Sequence, residues 1–502
     1  MQNYLFHKVL IPSGLKFDYF RYFLNMNLKI FYSSVLVIYL GTIGSAHSQN
    51  SSSLLKDGAL AYQTYCAGCH GKQLEGAAAP GLVKQDLKHG ADRKSIRSSI
   101  SNGIPGTEMI KWSGVISEKQ IDLLTDYVLA VRKSPDLAKG KIEKPMQLST
   151  KHYKLKIERL VTTGIDRPWG ITFVDAKRAL ITGNKGELRW MVDGKLDTQK
   201  VIGIPKSYAS DQVGGMLDVI SDPEYLKNGW VYLAYSHNSA NSMDKRTPGM
   251  TKVVRGKVKD HQWVDEQLLF QVNDSLLVKG GSRWGCRFLF DKAGYLYFTI
   301  GDMDRAKDAQ ILSRPAGKVY RINKDGTVPK DNPFIGKPGV LEAIFSYGNR
   351  NVQGIAQHPI TGLIYATEHG PQGGDELNII KKGANYGWPI ITYGIDYNGS
   401  KVSDITEKEG MEQPITYWTP SIAASSIAFT GGKLFPLWKN NLLVGALKFE
   451  ELRRLVIEGN QVKEQEILLK GYGRVRDVCM GPDGALYVLT NSPDAVLRIK
   501  PE

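Results

Sequence analysis

The most specific chemical motif in the sequence is a pair of cysteines followed at once by a histidine. It reads Cys66-Ala-Gly-Cys69-His70. With this spacing, two thiols can bond to both vinyl groups of a haem while the histidine reaches the iron from one side. The alternative is a chance or redox-active cysteine pair. The two remaining cysteines, Cys286 and Cys479, are too scattered for a disulfide framework, so we expect them to be buried free thiols.

An acidic, glycine-rich loop is the second candidate for chemistry. It reads Glu368-His-Gly-Pro-Gln-Gly-Gly-Asp-Glu-Leu-Asn378 and continues to Asn385-Tyr-Gly-Trp-Pro389. Glycine permits close backbone approach, and calcium takes several oxygen ligands from carboxylates and carbonyls. The loop lacks the EF-hand spacing. By itself it therefore indicates either a calcium site of another kind or an acidic turn between strands.

Two amphipathic segments flank the cysteine motif. The segment Leu54 to Tyr65 has a helical pattern and runs into the motif. A second helix is predicted to begin at Ser117, because Ser117-x-x-Gln120 matches a capping box. One face of that helix carries apolar residues at a period of 3.6, namely Ile121, Leu124, Val128 and Val131. Two such helices can enclose a flat cofactor.

This part of the chain resembles a small class I cytochrome c domain. The run Gly103-Ile-Pro-Gly-Thr-Glu-Met109, followed by Trp112, is similar to the axial-methionine loop of that family. The resemblance implies that His70 and Met109 are the axial ligands of haem c, a pairing that suits electron transfer. A methionine that serves only the core is the alternative for Met109.

The first 48 residues resemble a targeting segment. From Met26 a positive start leads into a short apolar run and small residues near position 48, which predicts a secretory signal peptide over 1–48 with translation starting at Met26. The apolar run is short for a membrane span, although an uncleaved anchor is the alternative. We therefore expect a periplasmic or secreted protein with no stable membrane span after cleavage.

Charge and composition limit the possible partners. The net charge is +15, but no run of Lys and Arg or aromatic-interleaved stripe accompanies it. Nucleic acid is therefore excluded as an expected partner, and the basic field suits an acidic one. We expect a small-molecule substrate and an external electron acceptor such as another cytochrome or redox protein.

The domain plan follows from a change of pattern near Lys133. We predict a cytochrome c domain at 49–134, a polar linker at 135–151 and a β domain at 152–502. Short apolar runs separated by turn residues recur in the β domain. They are Arg178–Thr182, Trp230–Ala234, Tyr295–Ile300, Leu363–Ala366, Asn441–Val444 and Ala485–Leu489. The turns at Phe290–Gly294 and Gly481–Gly484 look like equivalent hairpins in different repeats. We predict a six-bladed β-propeller, with a β-sandwich or two smaller β domains as the alternative.

The same region resembles the soluble quinoprotein glucose dehydrogenases and bacterial aldose sugar dehydrogenases. The ordered blocks that carry the resemblance are Trp169–Phe173, Gly214–Asp218, Gly317–Asn323, Tyr347–Asn351, the loop from Glu368 to Pro389, and Arg474–Asp477. The family is a six-bladed propeller that binds pyrroloquinoline quinone (PQQ) and calcium. The chain as a whole is thus expected to be a small all-α cytochrome c domain followed by an all-β six-bladed propeller.

The resemblance assigns the cofactor site residue by residue. Lys448, Arg474 and Arg476 match positions that bind the carboxylates of PQQ, which suits the planar fork of arginine. The positions beside the quinone are matched by Arg350 and Asn351, and Ser421 stands where some members have a PQQ-contacting threonine. Calcium at the quinone would take carbonyls of Gly370 and Pro371, and a second, structural calcium would take Glu376 and Tyr386.

The sequence departs from the family at the catalytic base. The family histidine that removes the hydroxyl proton aligns with Arg283, and arginine stays protonated, so it cannot act as a general base. Arg283 could instead bind an anionic substrate or stabilise an alkoxide. His369 is either a cofactor neighbour or replacement base, or a structurally satisfied histidine. Val213, beside Gln212, occupies a position where the family often has a substrate-binding glutamine.

Two functions from different classes fit these observations. The leading hypothesis is a periplasmic quinoprotein dehydrogenase that oxidises an aldose sugar or related alcohol by hydride transfer to calcium-bound PQQ and passes the electrons to its own haem c. Its substrate could also be an acidic or non-aldose compound. The alternative is a non-catalytic propeller that binds PQQ or a carbohydrate and is attached to an electron-transfer cytochrome.

Overall fold

The structure is a computed structural model that describes residues 54–76, 79–83, 87–105, 107, 109–139, 145–210, 213–240, 247–397 and 399–502. The predicted signal peptide at 1–48 lies outside these residues. By its internal contacts the chain divides into two compact units. One holds the described residues of Met1–Tyr62 and Gly81–Ile142, and the other those of Gln63–Pro80 and Glu143–Glu502.

The N-terminal region is helical. Its helices are α1 (54–65), α2 (Ala67–His70), α3 (Arg93–Asn102) and α4 (Glu118–Lys133), with a 3₁₀ turn at Pro135–Lys139. The predicted capping box is confirmed, because the Ser117 side chain accepts from the Gln120 backbone and the Gln120 side chain accepts from the Ser117 backbone. The apolar stripe predicted for α4 is also confirmed, since all four of its residues are buried.

Tight helix packing in the first unit depends on one small residue. A Cβ atom at Gly58 of α1 would meet the Leu123 carbonyl oxygen of α4 at 2.6 Å and the Tyr127 Cβ atom at 2.8 Å. Glycine therefore lets the two helices approach closely. The two predicted helices, α1 and α4, are present, and α3 was not predicted.

The second unit is built around six antiparallel sheets of at least four strands each. The strands of blades I to III are β3–β6 (Pro168–Phe173, Arg178–Gly183, Glu187–Val192, Lys195–Lys200), β9–β12 (Met216–Ser221, Val231–Asn238, Gly249–Lys259, Gln262–Phe270) and β13–β16 (Phe288–Phe290, Leu296–Ile300, Lys318–Ile322, Ile344–Tyr347). The strands of blades IV and V are β17–β20 (Val352–Gln357, Ile364–Glu368, Asp375–Ile380, Thr416–Trp418) and β21–β24 (Ala424–Phe429, Leu442–Ala446, Glu451–Glu458, Gln461–Lys470).

Blade VI joins the two ends of the propeller. Its strands, in spatial order, are β1 (Gln147–Ser149), β2 (Lys154–Val161), β27 (Ala495–Pro501), β26 (Leu486–Asn491) and β25 (Arg474–Met480). Because β2 pairs with β27, the ring is closed by hydrogen bonds between distant parts of the sequence. The end of the segment predicted to be a linker, 135–151, is therefore a strand, since β1 pairs with β2 in this sheet.

The smaller elements lie between these strands. They are the short pair β7–β8 (Ala209–Ser210, Val213–Gly214), the helix α5 (Tyr225–Asn228) and 3₁₀ turns at Asp274–Leu276, Ala306–Gln310 and Pro436–Trp438. No helix in the described part of the chain is long and apolar enough to cross a membrane.

The six apolar runs identified in the sequence are the second strands of the six blades. They correspond to β4, β10, β14, β18, β22 and β26. Each lies in the middle of its sheet, so it is buried on both faces and its sequence is apolar without alternation. The two turns predicted to be equivalent both connect the first and second strands of a blade. The six-bladed propeller is confirmed, and the β-sandwich alternative is excluded.

A buried ion pair links the inner strands of the propeller. Arg287, which precedes β13, contacts Asp218 of β9 at 3.1 Å and Asp477 of β25 at 3.4 Å. Its guanidinium also donates to the carbonyls of Gln353 on β17 and Trp169 on β3. One side chain thus connects blade III to the first strands of four other blades.

Candidate functional site

The haem-attachment motif forms a single helical turn. The backbone N–H of His70 donates to the carbonyl of Cys66 at 2.9 Å, which places both cysteines and the histidine within α2 and its N-terminal boundary. The Nδ1 atom of His70 lies 2.8 Å from the carbonyl oxygen of Pro80. An N–H at Nδ1 that donates to this carbonyl leaves Nε2 free to bind a metal. Both thiols are unpaired, so this donor set fits haem c.

The predicted methionine loop reverses sharply after α3. Gly103 has φ of 70°, and a Cβ atom there would meet the Met109 carbonyl oxygen at 2.6 Å. The Ile104 N–H donates to that same carbonyl at 2.9 Å. Met109 is half-buried, and Trp112 is buried. The loop thus holds its methionine in a fixed turn.

The acidic loop lines a cleft in blade IV. The lining residues include Arg350, Glu368, His369, Gly370, Glu376 and Trp388. Tyr386 also lines this cleft, so Gly370, Glu376 and Tyr386 from the predicted calcium sets lie together with Arg350. The loop is therefore the wall of a site and not only a turn between strands.

Two carboxylates in this cleft, those of Glu368 and Glu376, form no ion pair with the described residues, although Arg350 lies close enough to lower the pKa of Glu368. Glu368 is buried, and burial raises its pKa to about 7. The pKa of Glu376 is raised well above its usual value, first by burial and then by repulsion from Glu368. The Nδ2 atom of Asn378 donates to both carboxylates, at 3.1 and 3.0 Å. Such a pair of buried acids fits a bound divalent cation.

Two amide oxygens reinforce that fit. The Oδ1 atoms of Asn349 and Asn378 are buried and accept no hydrogen bond from the described residues. No group of three or more His, Cys, Asp or Glu side chains in the described ranges is placed to hold a metal. Calcium here would therefore need amide and backbone carbonyl oxygens in addition to Glu368 and Glu376, which agrees with its ligand chemistry. Glu368 and the two asparagines were not among the predicted site residues.

The Gly370–Pro371 turn is fixed by a buried aspartate. Asp375 accepts from the Gly370 N–H at 2.9 Å, from the Ser421 hydroxyl at 2.7 Å and from the Ala424 N–H at 2.8 Å. A Cβ atom at Gly370 would meet the Gly373 carbonyl oxygen at 2.1 Å, so the turn requires glycine. Ser421 thus supports the loop, and its predicted contact with PQQ stays a prediction.

Arg476 forms no ion pair with a carboxylate of the described residues, whereas Glu450 acts against the effect of burial on the pKa of its neighbour Arg474. The two arginines lie two residues apart on β25, and the pKa of Arg476 is lowered well below its usual value by desolvation and by repulsion from Arg287 and Arg474. Its hydrogen bonds, to Asn491 at 3.3 Å and Gln353 at 3.4 Å, are long and go to neutral amides. Its guanidinium lies 4.0 Å from the centre of the Trp169 ring. The third predicted cation, Lys448, is exposed in the turn after β22.

Arg350 and His369 connect the cationic patch of Arg474 and Arg476 to the cleft. Arg350 donates from Nη1 to the carbonyls of His369 at 3.0 Å and Gly370 at 2.8 Å. The pKa of His369 is lowered to about 3, first by burial and then by repulsion from Arg350, Arg476 and Arg474, so these three arginines lie close enough to repel a charge on this ring. His369 is therefore neutral.

Several buried donors around this point have no partner. Arg350 Nε, Trp169 Nε1 and the ring nitrogen His369 Nε2 make no hydrogen bond within the part of the chain that the structure describes. Asn351 is buried beside Arg350, and its Oδ1 atom accepts from Gln353 at 3.1 Å. Unmatched donors and cations in one place fit a flat polyanion.

Arg283 is held by two carboxylates. Its Nε atom lies 2.6 Å from Asp302 Oδ1, its Nη2 atom 3.3 Å from Asp302 Oδ2, and its Nη1 atom 2.7 Å from Asp304 Oδ1. Burial lowers the pKa of Arg283, but these aspartates outweigh that effect and raise it, so it is a permanent cation. Asp302 also accepts from Trp388 Nε1 at 2.8 Å. Sequence reasoning missed Asp302 and Asp304, although the turn residues directly after the apolar strand β14 were a possible signal.

The remaining sequence candidates fall in or beside this region. Tyr386 donates its hydroxyl to the Ile379 carbonyl at 2.7 Å, so its phenol serves the core while its backbone borders the cleft. Val213 lies in β8, and Gln212 lies outside the described residues. Cys286 is a buried free thiol as predicted, and Cys479 is a free thiol that is partly exposed.

Two family models match the chain. The model described as Glucose / Sorbosone dehydrogenase matches residues 165–498, and the model described as Cytochrome C oxidase, cbb3-type, subunit III matches residues 53–128. The chain therefore carries a cytochrome c domain in its N-terminal region, as predicted.

Individual relatives agree with both the sequence and the fold. Aldose sugar dehydrogenase YliI of Escherichia coli is 38% identical over 344 residues, which cover 67% of this chain and 91% of that protein. Quinoprotein glucose dehydrogenase B of Acinetobacter calcoaceticus is 28% identical over 367 residues, which cover 58% of this chain and 75% of that protein. The crystal structure of the soluble aldose sugar dehydrogenase from Escherichia coli in the apo-form superposes with a TM-score of 0.64 at 36% identity, covering 69% of this chain and 100% of that one.

Proposed function

The chain belongs to the glucose/sorbosone dehydrogenase family, and from that premise we propose that it oxidises an aldose sugar or related alcohol with calcium-bound PQQ and passes the electrons to its own haem c. The two family matches indicate an oxidoreductase that combines a sugar-dehydrogenase propeller with an electron-transfer cytochrome domain. We place the protein in the periplasm, because haem attachment and the predicted signal peptide both belong to an extracytoplasmic route.

The main support for the proposal is the cluster of positive charge formed by Arg350, Arg474 and Arg476. Arg476 forms no ion pair with a carboxylate of the described residues, its pKa is lowered by desolvation and by neighbouring guanidiniums, and Arg474 and Arg350 lie close enough to repel a charge on His369. A protein gains nothing in stability from such an arrangement unless an anion completes it. PQQ, a flat tricarboxylate, supplies the missing charge and the acceptors for Arg350 Nε and Trp169 Nε1.

Each residue of the site has a role in this proposal. Arg474, Arg476 and Lys448 hold carboxylates of PQQ, and Asn351 and Ser421 contact its edges. Carbonyls of Gly370 and Pro371 hold the calcium that polarises the quinone, and Glu376 with Tyr386 holds a second ion. Bound PQQ supplies an acceptor for a hydride from the sugar carbon. Arg350 lies where negative charge accumulates during that transfer and stabilises it.

The charge around Arg283 favours a neutral substrate. Asp302 and Asp304 together match the charges of Arg283 and Arg350, so the two guanidiniums leave no net positive charge for a substrate carboxylate. We therefore propose an aldose or neutral alcohol in preference to a uronic acid.

The fused cytochrome domain provides an acceptor for the electrons taken from the substrate. Cys66 and Cys69 attach the haem, and His70 and Met109 are its axial ligands in the proposal. Reduced PQQ holds two electrons, whereas haem accepts one at a time, so a tethered haem can pass them singly to an external redox protein.

One experiment tests the proposal. The purified haem-containing protein is reconstituted with calcium and PQQ, and aldoses, uronic acids and alcohols are offered while the Soret and α bands of the haem are followed. Haem reduction by a neutral sugar that requires PQQ is the expected result. Reduction by uronic acids alone would contradict the charge argument.

A non-catalytic propeller is the second candidate function. The observation that favours it is Arg283 at the position where the family has its base. Tight PQQ binding without haem reduction by any compound of the panel would support this candidate and reject the enzyme.

A further inference from the structure

The chain needs a proton acceptor that sequence comparison does not provide. When the C–H bond of a sugar breaks as hydride, the hydroxyl on the same carbon must lose its proton. Arg283 stands at the family base position, and its pKa is raised by Asp302 and Asp304, so it cannot accept a proton. Another group held beside Arg283 must take this role.

Asp302 has no hydrogen-bond acceptor position left for a substrate. Its side chain is fully buried, and its two oxygens accept from Arg283 Nε, Arg283 Nη2, Trp388 Nε1 and the Asp304 N–H. A carboxylate offers about four acceptor positions, and all four are used. Asp302 therefore anchors the site and has no free position for a substrate proton.

Asp304 has both a free acceptor position and a route to solvent. Its oxygens accept from Arg283 Nη1 at 2.7 Å, the Ser282 hydroxyl at 2.8 Å and the Ser282 N–H at 2.7 Å, which leaves one of about four positions open. Its side chain is 40% exposed, whereas that of Asp302 is not exposed. A proton taken up by Asp304 can therefore pass to water.

The backbone at this turn is strained. Met303 and Asp304 have φ values of 52° and 60°, and neither is glycine. Residues in this region cost on the order of 1–3 kcal/mol each and persist where surrounding contacts impose them. Here the contacts are the Asp304 N–H on Asp302 at 3.1 Å and the Asp302 N–H on the Arg350 carbonyl at 2.7 Å. The turn is thus fixed to the strand end that carries Arg350 and Asn351.

We propose that Asp304 is the proton acceptor of the reaction and that Arg283 is its positioning residue. The inference rests on the proposed function. In the step, the substrate O–H bond breaks and its proton passes to the Asp304 carboxylate. The C–H bond breaks with its electron pair, the hydrogen and that pair pass to the quinone of PQQ, and a C=O bond forms. The proton on Asp304 is then released to solvent.

The test compares three variants of the full haem-containing protein. Asp304→Asn should lower kcat by roughly 100- to 10,000-fold, the usual contribution of a general base. Asp304→Ala should be partly rescued by added formate, which restores a carboxylate. Ser282→Ala removes one hydrogen bond to Asp304 and should lower kcat by less than Asp304→Asn does, because the carboxylate itself is still present.

Two further measurements separate a chemical role from a structural one. The Kd for PQQ, followed by quenching of protein fluorescence, and the urea midpoint of the apoprotein should be within about twofold of wild type in Asp304→Asn. Arg283, Arg350, Asp302 and Tyr397 are charged or titratable groups close to this carboxylate or to its guanidinium partner. Tyr397→Phe and His369→Gln serve as comparisons.

The outcomes distinguish this inference from the proposed function. If wild type oxidises a sugar and Asp304→Asn keeps its kcat within about threefold, Asp304 is not the acceptor and the proposed function stands. Loss of turnover in Tyr397→Phe or His369→Gln, with Asp304→Asn active, would move the role to that residue. If wild type binds PQQ but oxidises nothing, both ideas fail together.

Discussion

Two neighbouring arginines near the centre of the propeller differ in whether the protein neutralises them. Arg287 is 3% exposed and forms ion pairs with Asp218 and Asp477. Arg476 has no described carboxylate partner, although Arg287 donates from Nη2 to its backbone carbonyl. The pKa of Arg287 is raised because its aspartates outweigh burial, whereas desolvation and like charges lower that of Arg476.

The difference separates a structural arginine from a binding arginine. A buried cation that already has its carboxylates holds strands together and has no charge left for a ligand. An arginine without a carboxylate partner destabilises the free protein. It can bind an anion strongly, because folding has already removed water from its guanidinium and binding does not have to do so again. Arginine at the inner end of blade III thus has a structural role, whereas arginine at the inner end of blade VI is free to bind a ligand.

The largest effect is expected from Arg287→Met. Removing this guanidinium leaves Asp218 and Asp477 buried without their cation and removes hydrogen bonds to two other blades. Loss of one partner of a buried pair costs about 3–5 kcal/mol. Urea unfolding of the apoprotein, followed by tryptophan fluorescence, measures this loss. A loss under about 1 kcal/mol would show that the inner ring does not depend on the ion pair.

A pH effect of slightly smaller size is expected from Asp218. Burial raises its pKa from 3.8 to about 6, and repulsion from Asp477 adds to this, although Arg287 opposes it. Because the unfolded chain releases this proton at lower pH than the native protein, the free energy of unfolding falls as pH rises from about 4 to 6, by up to about 3 kcal/mol.

This pH dependence of the free energy of unfolding should be absent in Asp218→Asn. The difference in unfolding free energy between wild type and this variant, measured in urea at several pH values, should therefore decrease between pH 4 and 6 and stay constant above. A difference that increases over that range would mean that attraction to Arg287 outweighs burial.

Arg476→Met, the same substitution at the unmatched arginine, should act on binding and not on folding. The apoprotein should keep its stability or gain some, because an unfavourable charge is removed. Loss of a charged hydrogen bond of about 1.5–3 kcal/mol should weaken PQQ binding by roughly 10- to 150-fold. Fluorescence titration with PQQ measures the affinity, with Arg287→Met as the matched control for stability. Unchanged affinity would remove Arg476 from the cofactor site.

The smallest effect is expected where an arginine is paired but exposed. Arg93 of α3 contacts Asp122 and Asp126 of α4, and all three side chains are at least 41% exposed. Solvent screens such pairs, so Arg93→Ala should cost less than about 1 kcal/mol in the thermal unfolding of the protein, followed by circular dichroism at 222 nm. A larger loss would mean that pairing, and not burial, determines which arginines are structural.

Much of the fold could be predicted from the sequence because it depends on local patterns. The second strand of every blade is apolar on both faces, so runs such as Tyr295–Ile300 stood out from the turns around them. The outer strands alternate or are short, as in β24 with its exposed and half-buried residues, and they gave no comparable signal. The contribution of Gln147–Ser149 to blade VI was missed for the same reason, because its partner is set by ring closure.

The candidate site was predicted less completely. Motif positions identified Arg350, Gly370, Glu376 and Tyr386, which the structure brings to one cleft. They did not identify Asp302, Asp304 or Glu368, since a single acidic residue after a strand is common in any β protein. The predicted haem ligands and PQQ contacts stay predictions that the experiments above address.

Residue types and short spacings along the chain establish which chemistry is available to this protein. The haem attachment predicted at Cys66 and Cys69 depends on residues that are close together along the chain, and so does the Gly370 turn. Which charges are matched depends on the folded chain. Arg283 meets Asp302 of its own blade, Arg287 meets Asp218 and Asp477 of other blades, and Arg476 meets no carboxylate of the described residues, because desolvation and charge pairing are properties of three-dimensional neighbours and not of local sequence.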